Sequence, residues 1–475
     1  MKYLRNRLIY YAKILFIFSL FVLMYLCFPY AETYLKQIDA EKILAASQFR
    51  DKKFSIPVQE IKAADISAYL LQENSVPIVS IAFRFTNAGE AHENDDKAGL
   101  TDLLTSLLLD GAGKYDEQTF KDTCEEFGIK IAFSADIDDI SGHLHFPRQN
   151  SETALEMLSA VLRKPHFKEK FIKLRKEQIK TAIKIGMENP QNVLADKFTE
   201  FFFAGHPYSR TQDEKLATID NVTADDLKDF MQTHLSKENL IVGFAGDISV
   251  KEAENILQTV FAKLPDSYSG DKISAINIDF SGRTDNISRQ TAQASSIFAT
   301  NAVRRNDADF YPLYMVNYIF GGGSLNSRIS QLIREKEGLT YGIYTALVET
   351  DAEAMIKGSY SSTPENFTKA HDLLLSEWQK MHENGVSEAE LEQAKSSLIS
   401  SYNLRFASIS GIASMLVGMQ KYNLGKDFLE KRNDYIKSVT LSEANAAAKK
   451  YFSRIPGFVN IGTYNKEEKK DNVRK

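Results

Sequence analysis

Two stretches of this chain compare without a gap, and they lie almost half a chain apart. VTADDLKDFMQTHLSKENLIVGFAGD starts at Val222 and VTLSEANAAAKKYFSRIPGFVNIGTY at Val439, an offset of 217 residues (439 − 222) in a chain of 475. Each opens on a threonine suited to cap a helix, Thr223 or Thr440, runs through an amphipathic helix and ends in an apolar strand. A looser pair, VPIVSIAFRFTNAG from Val76 and QASSIFATNAV from Gln293, reads as two further strands, each leading through a polar turn into a long apolar-patterned helix. Self-similarity at this distance means two duplicated domains and excludes a solenoid of short repeats. A chain of this length is also too long for one hydrophobic core.

Segments 76–86, 129–135, 141–147 and 239–246 are rich in Ile, Val and Phe and read as strands. Segments 97–110, 116–127, 151–164, 167–187 and 223–235 carry helical periodicity. Helices in runs beside grouped strands predict an α+β fold. Each of the two similar halves is then an antiparallel-rich sheet covered by helices. The Ser-, Asp- and Gly-rich stretch 264–292 reads as the joint. The expected organisation is 1–31 signal or anchor, 50–263 first domain, 264–292 linker and 293–467 second domain.

Residues 1–13 carry Lys2, Arg5, Arg7 and Lys13 and no acid; the apolar run ILFIFSLFVLMYLCF follows over 14–28. A basic flank before such a run reads as a secretory signal, or as an uncleaved membrane anchor. The chain is therefore expected to be exported to the periplasm, soluble or tethered through 14–28. Net charge is −5, from 58 basic and 63 acidic residues, which argues against a nucleic-acid partner. Of the two cysteines, Cys27 sits in the apolar run. Cys124 alone can form neither an internal disulfide nor a cysteine zinc cluster.

The landmarks VPIVSIAFRFTNAGEAHENDDKAGLTDLL, GIKIAFSADIDDISGHLHF, ENP at 188–190, GHPYSR at 205–210 and LIVGFAGDIS follow one another in order. This order resembles the insulinase-like metallopeptidases, the pitrilysin- and mitochondrial processing peptidase-like inverzincins, over most of residues 55–465. In that family an H-x-x-E-H helix grips zinc with two histidines one turn apart, and its glutamate activates the zinc-bound water. Here the matching positions are Asp102, Thr105 and Ser106. The resemblance puts a further Glu ligand near 181–183, and those residues are Thr, Ala and Ile. One carboxylate beside two hydroxyls is a poor zinc site, so no metal is expected in this chain. His143 and His145 share a strand face but have no evident third ligand.

The second half carries FGGGSLNSRISQLIREKEGLTYGIYT over 320–345. Gly321, Gly322 and Gly323 permit a tight loop, and G-x-x-x-x-G-K-[ST] is absent, so this is no phosphate loop. The resemblance implies that Arg334 and Tyr341, seven residues apart, match the family's Arg and Tyr. Their role would be to hold the peptide carbonyl and to donate to its oxygen as negative charge develops. The glycine loop would line the substrate. Some members of this family work as pairs, one subunit bearing zinc and the other the Arg–Tyr pair. The resemblance therefore implies a non-zinc-binding subunit, inactive alone. It would form a heterodimer with an H-x-x-E-H paralogue that supplies the zinc and would act on peptides. The alternative is a purely structural subunit, which has no chemical need for Arg334 and Tyr341. No Ser–His–Asp order or activated Cys supports independent chemistry.

Overall fold

The structure is a computed structural model that describes residues 57–462. The expected signal or anchor, Cys27 and the last residues of the second domain lie outside the described residues. Strands form on the apolar runs, in two sheets. The first contains β1 (Gln59–Ala63), β2 (Ile66–Gln72), β3 (Ile78–Phe85), β4 (Lys130–Ala135), β5 (Ile140–Pro147) and β6 (Leu240–Gly246), in the order β1-β2-β6-β3-β5-β4. The second contains β7 (Thr284–Ser288), β8 (Ala294–Asn301), β9 (Thr340–Glu349), β10 (Ala354–Ser362) and β11 (Gly457–Gly462), in the order β7-β11-β8-β10-β9.

The duplication is written into this topology. Strand β6 runs parallel to β2 and antiparallel to β3. Strand β11 runs parallel to β7 and antiparallel to β8. These two strands end the stretches that compare in sequence. The helices before them, Ala224–His234 and Leu441–Tyr451, start alike. Thr223 accepts the Asp226 N–H and Thr440 the Glu443 N–H, and each carboxylate returns to the threonine N–H. Such boxes satisfy two orphan donors and stabilise a helix start by about 1 kcal/mol. Every remaining ladder pair is antiparallel, as an antiparallel-rich α+β fold requires.

The helices used below are α1 (Leu100–Leu107), α2 (Glu169–Gly186), α3 (Pro190–Phe202), α4 (Gln212–Thr218) and α5 (Ile409–Lys421). Each half lends one helix to the other half's sheet. From the first half, α3 packs on β8 and β11; from the second, α5 packs on β2, β3 and β6. Leu194, Phe198 and Phe202 thus share a core with Ile297, Val459 and Ile461. Ile412, Leu416 and Val417 share one with Leu71, Ala82 and Ala245. Each fully buried side chain of this kind contributes roughly 1.5–3 kcal/mol, so the exchange binds the halves strongly. Gly243 permits it: a Cβ there would stand 2.5 Å from the Ala413 carbonyl oxygen of α5.

The stretch 264–292, expected as the joint, also builds the second half. It contains β7 and buries Ile278 and Phe280 in the shared core. Charge ties the halves as well. Asp138 accepts from the Tyr208 hydroxyl and from the Asp351 N–H, and burial pushes its carboxyl up to about 6. Fully buried Asp139 takes Arg84 at 2.7 Å and Lys421 from the end of α5.

Candidate functional site

Helix α1 is the helix that would carry zinc. It begins after Gly99, whose φ of +93° suits glycine. Its first N–H groups are held by buried Glu93, which accepts from Gly99 N at 2.8 Å and Thr101 N at 2.7 Å. Leu100, Leu103, Leu104 and Leu107 recur at helical spacing and are buried. That places Asp102, Thr105 and Ser106 together on another, half-buried face.

The chemistry of that face is spent on the protein itself. The Thr105 hydroxyl donates to Thr101 O at 2.8 Å and the Ser106 hydroxyl to Leu103 O at 2.8 Å. Asp102 Oδ2 accepts from Lys215 Nζ at 2.9 Å, and the same ammonium lies 2.8 Å from Glu90 Oε2. Lys215 belongs to α4, and its side chain is only 4% exposed. Burial works against its charge, but Asp102 and Glu90 outweigh that and hold the ammonium above the ordinary lysine range. A lysine cation therefore neutralises the one acid left on the motif.

A cavity of about 660 Å³ opens beside these groups, lined by Asp102, Glu90 and Arg210, with Ile179, Ala182 and Ile183 from α2. The α2 wall is apolar where the family's Glu ligand is expected. Among the described residues, no group of three or more His, Cys, Asp or Glu is placed to hold a metal. The donor set does not fit zinc, because two hydroxyls face their own helix and the single carboxylate is paired. Metal analysis of the purified chain is expected to find no stoichiometric zinc, with no change in Asp102→Ala. One zinc per chain, lost in that variant, would overturn this.

The other candidates are placed as follows. His145 Nδ1 lies 2.6 Å from the Ser80 hydroxyl, and burial lowers the pKa of both His143 and His145. Burial pushes the Cys124 thiol up to about 11, the opposite of an activated nucleophile. Gly321 is buried, and a Cβ there would stand 2.4 Å from the Thr345 hydroxyl of β9. Gly323 is buried too, so only Gly322 presents its backbone to solvent. Arg334 lies on the helical segment Ser330–Lys336, 3.2 Å from Glu335 and 39% exposed. Tyr341 lies at the start of β9, the edge strand, and is 85% exposed. The register of β9 and β10 shifts close by, between Tyr360 and Ser362. Neither Arg334 nor Tyr341 lines the Asp102 cavity.

Sequence reasoning missed Lys215, Glu90 and Arg210. Arg210 donates to Glu90 O and to Glu93 O at 2.9 Å and so fixes the segment before α1. Two landmarks held a signal: GHPYSR ends on Arg210, and the first landmark contains Glu90.

Two duplicated sheet-and-helix units, with a lysine cation held against the helix that would carry the metal, define a peptidase-like chain whose described residues offer no metal-ligand cluster. Residues 69–212 match the insulinase domain of peptidase family M16, and residues 221–398 match the domain described as peptidase M16 inactive domain. The chain belongs to the M16 (insulinase) peptidase family, as an inactive member. It is similar to the "non-peptidase homolog YmxG" of Helicobacter pylori, 23% identical over 390 residues, covering 82% of this chain and 89% of that one. An "uncharacterized zinc protease" of Rickettsia felis is 24% identical over 417 residues, covering 83% and 95%. The fold is that of a solved "peptidase M16 inactive domain" from Pseudomonas fluorescens. That match has a TM-score of 0.80 and 24% identity, covering 86% of this chain and 98% of that one.

Proposed function

We propose that this chain is the non-zinc-binding subunit of a heteromeric M16 peptidase. It closes against an H-x-x-E-H paralogue around a peptide, and Arg334 and Tyr341 complete the partner's site. The zinc is the partner's. The observation that carries this reading is Tyr341: a large ring, 85% exposed on an edge strand, with no side-chain hydrogen bond or ring contact among the described residues. Arg334, seven residues earlier in the chain, pairs with exposed Glu335 and not with a buried acid. Exposed Gly322 gives a peptide backbone room to approach. The similarity to the inactive domain and to the non-peptidase homologue supports the lack of activity alone.

The test is reconstitution. Co-purification with a zinc-bearing paralogue should yield a complex that cleaves unfolded peptides, while each chain alone is silent. If the two chains do not associate, the heterodimer reading fails. Association without any dependence on Arg334 and Tyr341 supports the structural-subunit reading.

The same proposal places the chain in the periplasm, as a soluble or tethered protein. Among the described residues no helix is long and apolar enough to cross a membrane, so tethering would rest on residues 14–28. N-terminal sequencing of the native protein is expected to find cleavage near Ala31, or an intact terminus in the membrane fraction. An intact Met1 on a cytoplasmic soluble protein would sink both versions.

A further inference from the structure

A second cavity, of about 470 Å³, lies wholly within the second half, where α5 meets the helices Phe310–Asn317 and Phe428–Ser438. Its charged lining is Arg305, Arg405 and Arg432, and no acid lines it. Tyr311, Tyr402 and Tyr422 supply much of the remaining wall. We propose that this cavity binds a small organic anion with an aromatic body, the charged end held by the arginines and the ring stacked among the tyrosines.

Four observations converge on it. First, two of the three guanidinium groups lie against rings, and Arg405 stands exposed at the rim. Arg305 sits 4.7 Å from the Phe310 ring and Arg432 sits 4.2 Å from the Tyr402 ring. Arg432 donates to neutral oxygens, Leu398 O at 3.2 Å and Asn433 Oδ1 at 3.0 Å, and is also hydrogen-bonded to the Tyr314 side chain. It is 7% exposed, and burial lowers its pKa, as expected of a cation short of counter-charge. Glu349 lines an adjoining cavity. Its carboxylate is engaged by the Arg305 N–H at 2.8 Å and by Arg304 at 3.6 Å.

Second, Tyr402 is 5% exposed, and its hydroxyl has no hydrogen-bond partner. A buried donor left open is costly, so it points to a ligand acceptor. Third, Gly418 sits inside α5, where glycine weakens a helix. A Cβ built on it meets nothing within 4 Å, so the residue keeps the cavity wall open. Fourth, the volume lies in the range of small-molecule sites and is lined by aromatic and polar groups in the mixture such sites use. Arginine is suited to this site because its planar fork both stacks on rings and grips carboxylate or phosphate in pairs.

The test uses the full-length chain without any partner, so it is independent of the peptidase reading. Phenylacetate and phenyl phosphate are titrated by calorimetry, with benzyl alcohol and acetate as the neutral and ring-less probes. At least one aryl anion should bind saturably, and its identity distinguishes a carboxylate from a phosphate ligand. Benzyl alcohol and acetate should bind at least about tenfold more weakly, the loss expected when a charged pair or the ring contact is absent. Arg305→Gln and Arg405→Gln should each weaken the aryl anion by about tenfold. Tyr402→Phe should weaken it without lowering the melting temperature, because that hydroxyl bonds nothing in the fold. Gly418→Leu should fill the cavity and abolish binding while the melting temperature holds or rises. Absence of binding by both aryl anions overturns the proposal. So does equal affinity for benzyl alcohol, or wild-type affinity in Gly418→Leu.

Discussion

Tyr341→Phe is expected to slow peptide cleavage by the assembled complex on the order of a hundredfold to a thousandfold, about 3–4 kcal/mol of barrier, as loss of one oxyanion donor does. The change removes a hydroxyl and keeps the ring. Because the ring is exposed and packs no core, the melting temperature should not move. The bond strengthens only as charge develops on the substrate oxygen, so KM should change less than kcat. Arg334→Lys keeps the charge and loses the planar fork, so it should also be harmful. Arg328→Lys, on the same stretch of chain, separates chemistry from stability. Arg328 forms a paired contact with Glu390 at 2.6 and 2.8 Å and donates to Gly385 O, holding the Glu390 carboxyl down to about 2. Its replacement should lower the melting temperature and leave turnover per folded complex intact. Glu390 contributes this stability above its unfolded pKa, and the contribution fades as pH falls toward 2. Wild-type turnover in Tyr341→Phe would leave the structural-subunit reading in place.

The contrast between Tyr341 and Lys215 shows what the sequence could and could not reveal. The duplication was legible because backbone chemistry is local. Thr223 and Thr440 cap within three residues, and the apolar runs of β6 and β11 need no partner to be read. The lost metal motif was legible because ligand spacing on one helix is fixed by 3.6 residues per turn. The exchanged helices α3 and α5 were not. Strand β8 is buried on both faces along most of its length. Such a run tells that both faces are covered, but not that the cover comes from the other half of the chain. The aryl-anion cavity was invisible for the same reason. Arg305, Arg405 and Arg432 are far apart in sequence and meet only when the helices pack. Lys215 was the hardest of all. It follows Asp213 and Glu214 in a short capped helix, a pattern that reads as solvent-exposed, and only tertiary packing buries it against α1.

Lys215→Met should lower stability by about 3 kcal/mol, the low end of the range for breaking a buried ion pair, because Asp102 is about one-third exposed and water screens it. Methionine keeps the apolar stem and removes the charge, so the loss reports the electrostatics and not a cavity. Asp102 and Glu90 would then face each other without a cation, and Asp102→Asn in the same chain should restore part of the stability. If Lys215→Met melts with the wild type, the ammonium is not what holds this face together. The same pairing predicts the outcome of rebuilding the motif. Asp102→His, Thr105→Glu and Ser106→His together restore the spacing of a zinc helix, yet the triple variant should still take up no stoichiometric zinc. Lys215 would stand among the new ligands as a competing cation, and Ala182 and Ile183 on α2 offer no further carboxylate. Zinc uptake should appear only when Lys215→Met and Ile183→Glu are added. Each change alone leaves either a positive charge or a missing ligand, so several independent positions stand against a metal centre and no single substitution can build one.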